Sequence, residues 1–425
     1  MTAVAPPPPP LPPLERLGHR HWPQLDARDR EAIVRALSDG PLSGPTTATL
    51  RALEQQVAAR LGVRHCVALN SGTAALHCAV AAAGVRDGDE VIVPAFSFMA
   101  TPLAVAQHGA VPVFCDVDAH TFTLDPRRIE QLVTPRTRAI VVVHLHGITA
   151  DMAAIGAVAA RHGLTVVEDA AQAMGATHDG RPAGALADTA AFSTQMTKNL
   201  QGGDGGLFVT DDDEAAMIGR RLAAFGEDVP PADRLGRVDW SHGVGWNYRM
   251  HQLAAALVSA QLPRLDEFNA TARANAAVLS AGLAALPVVP PQVPSWCTPT
   301  FHKYRVRLDV ARLGVDPGDL AKTTALRDRV VAELRGRGVH AVLWQHAPLA
   351  DHPAFRRDAV RPWHPDDERQ PLRPVDADAF PTTRRVIADS FVLGSEAAPL
   401  MVQPVELMER YVEEFDAVLS GLTAG

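Results

Sequence analysis

Residues 70–76 (NSGTAAL) form a segment that could bind an anion. They join a short apolar segment to an alanine-rich one through Gly72. If the first segment is a strand and the second a helix, backbone N–H groups and the positive end of the helix dipole point out of the turn, which suits a phosphate group. Ser-Gly-Thr is also a good helix N-cap, so this segment taken alone fits either use.

An acidic pair lies at the end of another apolar segment. Residues 164–172 (LTVVEDAAQ) run from aliphatic side chains into Glu168 and Asp169. The carboxyl end of a strand is where open α/β sheets bind their ligands. Asp169 could ligate a metal there, cap the next helix or pair with a buried cation.

A third stretch carries an amine. Lys198 follows the apolar segment 189–193 and precedes four glycines within residues 202–206, which allow a tight turn or a close approach of the backbone. Of the 40 Lys and Arg residues only three are lysines: Lys198, Lys303 and Lys322. Because arginine supplies the positive charge elsewhere, a lysine at this position suggests that the amine itself is needed.

An anion cradle, an acid at a strand end and an amine together match the needs of one cofactor. Pyridoxal 5′-phosphate (PLP) requires a phosphate cup, a lysine that forms a Schiff base, and a carboxylate that keeps the pyridine nitrogen protonated. The three stretches therefore predict a PLP-dependent enzyme.

The order of four motifs resembles the DegT/DnrJ/StrS family of PLP-dependent sugar and cyclitol aminotransferases. The motifs are SGTAAL at 71–76, EDAAQAMGA at 168–176, FS-x-x-x-TK-x-L-x-x-G-x-GG at 192–206 and G-x-NYRM at 245–250. The resemblance implies the aspartate-aminotransferase-like fold (fold type I). That is an α/β fold whose large domain has a mostly parallel sheet of the seven-stranded type between helices, with a smaller C-terminal α+β domain.

The resemblance also implies roles for individual residues. Lys198 would form the Schiff base and move protons, and Asp169 would pair with the pyridine nitrogen. The other cofactor contacts would be to the phosphate from Gly72, Thr73, Ala74 and Ser193, to the 3-hydroxyl from Gln172, and to the ring face from Phe98. Asn247 would reach the phosphate of a neighbouring subunit, which implies a homodimer with shared active sites.

Five further residues are expected near the substrate: His144, His146, Gln195, Tyr248 and His346. His144 and His146 share one strand face, as metal ligands might, but no Cys, Asp or Glu stands at a useful spacing, so no metal is expected. Gln195 resembles the cyclitol-type and aminohydroxybenzoate-type branch of the family. His146 and His346 stand where the family commonly has tyrosine, so these departures concern the substrate more than the cofactor.

The expected reaction moves an amino group from an amino acid, glutamate or glutamine, to a small keto acceptor. A keto-sugar, a keto-cyclitol or a related ketone or aldehyde would fit, in a secondary-metabolite or sugar pathway, with ping-pong kinetics. The alternatives are another PLP reaction (dehydration, decarboxylation or cyclisation) and a non-catalytic regulator. The family's dehydratase branch has histidine in place of the Schiff-base lysine, so Lys198 argues against that branch.

Alternating patterns along the chain predict the elements that must position these residues. Continuous apolar strands separated by helices indicate a parallel or mixed sheet covered on both faces. Strands are expected at 65–69, 90–93, 111–115, 139–145, 164–168, 189–193, 206–210 and 304–308. Helices are expected at 46–61, 73–83, 99–108, 150–162, 250–282, 324–337 and 404–421.

The same patterns suggest a division into domains. Residues 1–14 are proline-rich and are expected to be a disordered tail. A large PLP-binding domain would span 15–255 and a small C-terminal domain 256–425, with 256–282 as the connecting helix. Residues 356–379 are charged and proline-rich, which predicts a long surface loop.

Composition limits the remaining classes of protein. The net charge of −8 among 425 residues does not show the excess of positive charge that is typical of proteins that bind nucleic acid or an anionic membrane. No apolar run approaches the roughly 20 residues that span a bilayer, and the N-terminus lacks the pattern of a secretory signal. The four cysteines are too widely spaced for a disulfide framework or a zinc pattern. A cytoplasmic protein is expected.

Overall fold

The computed structural model describes residues 9–42, 44, 47–227, 243–356 and 374–423. The strands are β1 (His65–Leu69), β2 (Glu90–Pro94), β3 (Val111–Cys115), β4 (Thr137–Val143), β5 (Thr165–Asp169), β6 (Thr177–His178), β7 (Arg181–Pro182), β8 (Thr189–Ser193), β9 (Gly206–Thr210), β10 (Val288–Val289), β11 (Cys297–Thr298), β12 (Tyr304–Leu308), β13 (Ala341–Val342) and β14 (Ser390–Leu393). The α-helices are α1 (Ala27–Ser38), α2 (Ala48–Leu61), α3 (Gly72–Ala82), α4 (Ala100–Ala106), α5 (Pro126–Ile129), α6 (Met152–His162), α7 (Asp213–Ala223), α8 (Gln252–Gln261), α9 (Leu265–Leu283), α10 (Leu320–Gly336), α11 (Pro381–Asp389) and α12 (Val405–Thr423). Within these ranges no helix is both long enough and apolar enough to cross a membrane.

Seven strands form the main sheet, in the order β1-β9-β8-β5-β4-β2-β3. The pairs from β8 to β3 are parallel, whereas β9 runs antiparallel to both of its neighbours. The predicted fold class, α/β with a mostly parallel seven-stranded sheet, is confirmed. In the register, Val143 of β4 pairs with Asp169 of β5, which pairs with Ala191 of β8. The carboxyl ends of the three central strands therefore meet at one edge of the sheet.

The central strands are apolar on both sides because helices cover both faces of the sheet. Val91 of β2, with Val141 and Val167, packs into the cluster that contains Leu76 of α3. The alternate residues Ile92, Ile140 and Val166 pack on the opposite face in the cluster that contains Ile155 of α6. Burial on both faces fixes the register of these strands, and with it the position of the residues that follow them.

The C-terminal part of the chain builds a second sheet in the order β10-β12-β14-β13. Its core combines aliphatic and aromatic side chains from α9, α10 and α12 with those of β12 and β14. Trp22, from the N-terminal segment, belongs to the same core and packs edge-on against Phe268 of α9. The division of the chain at 255 and 256 stays a prediction.

Two details of the predicted elements are wrong. The single helix expected over 250–282 is broken into α8 and α9 by a short 3₁₀ turn at Leu262–Arg264, where Pro263 has no N–H to continue the helical bonds. Residues 9–14, expected to belong to a disordered tail, pack against the C-terminal part. Leu14 is buried, and the Arg335 guanidinium donates to the Pro9 carbonyl. Residues 1–8 and most of the predicted loop, 357–373, lie outside the described ranges.

Candidate active site

The turn between β1 and α3 is shaped by two close backbone contacts. A Cβ on Gly72 would lie 2.7 Å from Cβ of Ser193, and one on Gly206 would lie 2.2 Å from the Ser71 carbonyl oxygen, so only glycine fits at either position. The Ser71 hydroxyl caps α3 by accepting from the Ala74 N–H at 3.1 Å. The predicted N-cap is thus present, and the Ala74 N–H predicted for the phosphate already has a protein partner. The helix still presents the positive end of its dipole beside Ser193.

Asp169 is the last residue of β5, and its carboxylate is buried. One oxygen accepts from the Thr101 hydroxyl at 2.7 Å and the other from the Ala171 N–H at 3.2 Å. Burial raises the pKa of Asp169, while the hydrogen bond from Thr101 opposes the rise. A carboxylate oxygen can accept a second hydrogen bond, so Asp169 retains the capacity to accept one from a ring N–H. Thr101 was not among the predicted site residues, and its only signal in the sequence was its position near Phe98.

Lys198 lies in the loop that joins β8 to β9. The Gly202 N–H donates to the Thr194 carbonyl at 2.8 Å, and a Cβ on Gly205 would lie 2.3 Å from Oγ1 of Thr194. The loop therefore folds back tightly and holds the lysine in place. Burial lowers the pKa of Lys198 to about 8, while the charge of Asp169 opposes the fall. Among the residues described, no carboxylate lies within ion-pair distance of its amine.

Gln195 stabilises the same loop. Its side-chain oxygen accepts from both the N–H of Thr197, at 2.8 Å, and the hydroxyl of Thr197, at 2.6 Å. These bonds direct the amide oxygen toward the residue that precedes Lys198 and leave the NH₂ group free to donate. The substrate contact predicted for Gln195 stays a prediction, with the NH₂ group as the end that could make it.

Gln172 links the Asp169 segment to His146. The His146 N–H donates to the side-chain oxygen of Gln172 at 2.9 Å, so the NH₂ group of Gln172 is the end left for a cofactor hydroxyl. His146 is buried and has a left-handed backbone, with φ of 57°. Its Nε2 accepts from Nε of Arg305 at 3.0 Å. Burial and the Arg305 charge lower the pKa of His146 well below its ordinary value, and the charges of Lys303 and Lys198 lower it further.

His144 is not placed to contact a substrate. Its Nε2 donates to Glu168 at 2.9 Å, its Nδ1 accepts from the Ala150 N–H at 3.2 Å, and its side chain has no exposed surface. Glu168 in turn accepts from the backbone N–H groups of Gly184, Leu186 and Ala187. The substrate role predicted for His144 is therefore wrong, because its ring is used to hold Glu168. Among the described residues, no group of three or more His, Cys, Asp or Glu could hold a metal ion.

Three of the predicted residues lie on or near the surface of the single chain. Phe98 is 57% exposed, so its ring is available as a wall of the site. Asn247 is exposed, and its carbonyl oxygen accepts from the Asn70 side chain at 3.1 Å, beside the turn that begins α3. The Tyr248 hydroxyl hydrogen-bonds Nδ1 of His77 at 3.0 Å, on α3. The substrate contact predicted for Tyr248 stays a prediction.

His346 is also exposed, and the loop that carries it packs against the segment before Phe98. The Gln345 side chain donates to the Ser97 carbonyl at 2.6 Å, and the Leu349 N–H donates to the Ala95 carbonyl at 2.9 Å. The substrate role of His346 stays a prediction.

The structure brings one further segment to the site, residues 300–305, of which no residue was predicted to be functional. The Thr300 hydroxyl donates to the Gln172 carbonyl at 3.2 Å, and Nδ1 of His302 lies 3.3 Å from the side-chain oxygen of Asn199, next to Lys198. Lys303 is buried, and burial lowers its pKa to about 8. The rarity of lysine in the chain was the only signal that could have singled out Lys303.

The donor set of this site fits PLP. The glycine turn lets the start of α3 lie directly against Ser193, Asp169 is a buried carboxylate with spare capacity to accept a hydrogen bond, and Lys198 is an amine with a lowered pKa. Gly72, Thr73 and Ser193 would hold the phosphate, Gln172 the 3-hydroxyl and Asp169 the ring nitrogen. Lys198 would carry the cofactor.

Comparison with known proteins identifies the relatives of this chain. The model of the DegT/DnrJ/EryC1/StrS aminotransferase family matches residues 23–364. An L-glutamine:2-deoxy-scyllo-inosose aminotransferase of Streptomyces lividus is 41% identical over 302 residues, which are 69% of this chain and 71% of that protein. A pleiotropic regulatory protein of Geobacillus stearothermophilus is 37% identical over 311 residues, 72% and 77% of the two chains.

The solved structures show the same fold. The crystal structure of 3-amino-5-hydroxybenzoic acid (AHBA) synthase superposes with a TM-score of 0.80 at 30% identity, over 95% of this chain and 99% of that one. The predicted family, fold type and cofactor are confirmed. The chain belongs to the DegT/DnrJ/EryC1/StrS aminotransferase family and is a PLP-dependent aminotransferase.

Proposed function

We propose that this enzyme transfers the amino group of L-glutamine or L-glutamate to a keto-cyclitol or a keto-sugar. The observation that carries the proposal is the meeting of Lys198 and Asp169 at one sheet edge, where each affects the pKa of the other. Gln195 favours the cyclitol branch, and several of the curated relatives are L-glutamine:2-deoxy-scyllo-inosose aminotransferases.

Each residue of the site would have a separate task in the reaction. PLP, when bound, supplies an electron sink for the carbon that loses its proton. Nζ of Lys198 would take the proton from Cα of the donor and return it to the cofactor's carbon, a task that a lysine pKa near 8 suits at neutral pH. The Asp169 carboxylate would keep the ring nitrogen protonated, and Thr101 would hold that carboxylate in place. The intact set argues against a non-catalytic regulator.

The donor half-reaction tests the proposal directly. Holoenzyme mixed with L-glutamine or L-glutamate, without acceptor, should convert the cofactor to its amine form, seen as a change in absorbance, with release of one equivalent of oxo acid. A keto-cyclitol added afterwards should reverse the change. L-Alanine offered at the same concentration serves as the matched control. Release of carbon dioxide or ammonia in place of the oxo acid would identify another PLP reaction and contradict the proposal.

We also propose a homodimer whose sites are shared through Asn247. Its exposed side chain and the exposed Phe98 support a partner at this surface. The test uses purified heterodimers of differently tagged chains, one with Lys198→Ala and one with Asn247→Trp. If Asn247 serves the partner's site, one site collects both lesions and the other neither, so about half of the wild-type activity per dimer should return.

The matched control reverses the arrangement. A heterodimer of the double variant (Lys198→Ala with Asn247→Trp) and the wild-type chain should be inactive, because each of its two sites then has one lesion. If Asn247 serves its own subunit, the two results are exchanged: the first heterodimer is inactive and the second has about half of the activity. That exchange would contradict shared sites.

A further inference from the structure

Residues 300–305, which lead into β12 of the second sheet, bring basic side chains to the Lys198 site. Thr300 contacts Gln172, and His302 contacts Asn199, as described above. Lys303 immediately precedes β12 and Arg305 is the second residue of that strand; Arg305 hydrogen-bonds His146, and the charges of both residues act on the His146 ring. Lys303, Arg305 and His146 are called the basic cluster below.

The basic cluster contains hydrogen-bond donors that have no acceptor. Nη2 of Arg305 is buried without a hydrogen-bond partner among the described residues, and so is Nδ1 of His146. Because Nε2 of His146 accepts from Arg305, its Nδ1 is the nitrogen that carries the proton. Lys303 makes no ion pair with any residue that the structure describes. Buried polar groups are nearly always satisfied, so unpaired donors beside an active site point to a ligand that brings acceptors.

The protein supplies little negative charge to balance the basic cluster. Asp389, whose charge reaches Arg305, is already paired with Arg307 at 2.6 Å. Phe96, at 4.8 Å, and Trp344, at 5.7 Å, stack on the Arg305 guanidinium and exclude water from it, but they contribute no full charge. Glu396 raises the pKa of Lys303, but it is exposed and lies beyond ion-pair distance.

We propose that the basic cluster binds the α-carboxylate of the amino donor, and of the oxo acid that it becomes, through a direct contact from Lys303. His146 supplies a second donor, the unpaired N–H at its Nδ1, and Arg305 is a positioning residue that holds the His146 ring through its Nε2. A carboxylate has only acceptor oxygens and one negative charge, which matches unpaired donors next to an uncompensated amine. This inference rests on the proposed function, since it places the donor next to Lys198.

The basic cluster is tested with two analogues that differ only in charge. 5-Amino-5-oxopentanoate is glutamine without its amino group, and pentanediamide is its neutral amide. Calorimetric titration of the holoenzyme should show that Lys303→Gln weakens binding of the carboxylate by about ten- to a hundredfold and leaves binding of the diamide unchanged. Lys303→Arg, which keeps the charge, should restore most of the affinity. The exposed Lys322→Gln is the matched control and should change neither.

Kinetic measurements show whether the anionic group that Lys303 binds belongs to the amino donor or to the keto acceptor. In Lys303→Gln the glutamine concentration at half-maximal rate of the donor half-reaction should rise by a similar factor, while the acceptor half-reaction keeps its wild-type constants. The inference would be overturned if Lys303→Gln left the affinity for the carboxylate unchanged or lowered the affinities for both analogues equally. A defect confined to the acceptor half-reaction would overturn it as well. Borohydride reduction of the same variant should still label Lys198. If it labels another residue, the proposed function fails, and the inference fails with it.

Discussion

Lys198 and Lys303 are two buried amines from different parts of the molecule, and they reach nearly the same pKa in different surroundings. Burial lowers the pKa of both to about 8. Asp169 opposes the fall for Lys198, and Glu396 opposes it for both lysines, whereas the positive charge of Lys198 lowers the pKa of Lys303 further. A lowered pKa alone therefore does not identify the reacting amine. The burial of the neighbouring carboxylate differs: the buried Asp169 acts on Lys198, whereas the carboxylate that acts on Lys303 is the exposed Glu396, so we assign the reacting amine to Lys198 and the binding amine to Lys303.

The two lysines also differ in what holds them. Lys198 lies in a glycine-rich loop at the carboxyl edge of the main sheet, where the Gly202 N–H bonds back to Thr194. Lys303 immediately precedes β12 of the second sheet, beside His302. The site is thus assembled where the two sheets meet, with the cofactor residues on one side and the basic cluster on the other.

Removing Lys198 should have the largest effect on catalysis of any substitution considered for the two lysines and their neighbours. Lys198→Ala is expected to lower the rate of the donor half-reaction by at least about a thousandfold, because the group that moves the proton is lost. Borohydride reduction and peptide mapping of the wild-type enzyme should place the pyridoxyl group on Lys198 alone. A label on Lys303 would show that the roles of the two lysines had been exchanged. Lys322→Ala is the control.

Neutralising Asp169 tests the charge that distinguishes Lys198 from Lys303. Asp169→Asn should keep the cofactor bound but reduce kcat by roughly a hundredfold or more, because the ring nitrogen is no longer held protonated. Thr101→Val removes one hydrogen bond to the same carboxylate and should give a smaller loss. Steady-state kinetics together with cofactor content measure both effects. Near-normal turnover of Asp169→Asn would contradict its assignment.

Replacing Lys303 should reveal the cost of its buried charge in the cofactor-free protein. The pKa of Lys303 is about 8 when folded, against an ordinary value of 10.5, so Lys303→Met should be more stable by roughly 3 kcal/mol at pH 7. Below pH 8 the amine is charged in both states and the whole cost is present. Between pH 8 and 10.5 the folded state loses the proton first, so the parent gains stability and the difference shrinks. Urea unfolding at several pH values measures it, with Lys322→Met as the control; a difference that grows with pH would reverse the assigned sign.

Glu396 should have the smallest effect, because it is exposed and acts from a distance. Its charge raises the pKa of both lysines, so Glu396→Gln should lower both. Competitive acetylation of the cofactor-free protein against pH can follow each amine separately, since the chain has only three lysines and the exposed Lys322 gives a reference. A lower pKa at Lys303 without a lower pKa at Lys198 would mean that the charge of Glu396 acts on Lys303 alone.

Much of the cofactor end of the site could be predicted from sequence because it depends on neighbours in the chain. Asp169 ends an apolar strand, Gly72 stands between a strand and a helix, and Lys198 follows a strand and precedes glycines. A strand buried on both faces has its register fixed by packing, so residues at its end come to the sheet edge in a predictable way. Pro263 could have indicated the helix break from the sequence, but the apolar pattern continues on both sides of it and therefore predicted a single helix.

The prediction for His144 failed for a different reason. Its spacing from His146 shows only that the two could share a face, whereas the structure gives them different partners, Glu168 for one and Arg305 for the other. Those partners lie 24 and 159 residues away along the chain. A motif contains no information about which distant group completes a hydrogen bond.

By itself the sequence determined the family and the mostly parallel sheet, and it singled out the residues that we propose hold and activate the cofactor, since these follow from short segments in which strand, turn and helix succeed one another. Only the tertiary structure decided which charges are balanced. Asp169 and Lys198 offset each other, while among the residues that the structure describes no carboxylate forms an ion pair with Lys303 or Arg305. Compensation of charge depends on distance in space and on the exclusion of water, and neither is determined until the two sheets have packed together.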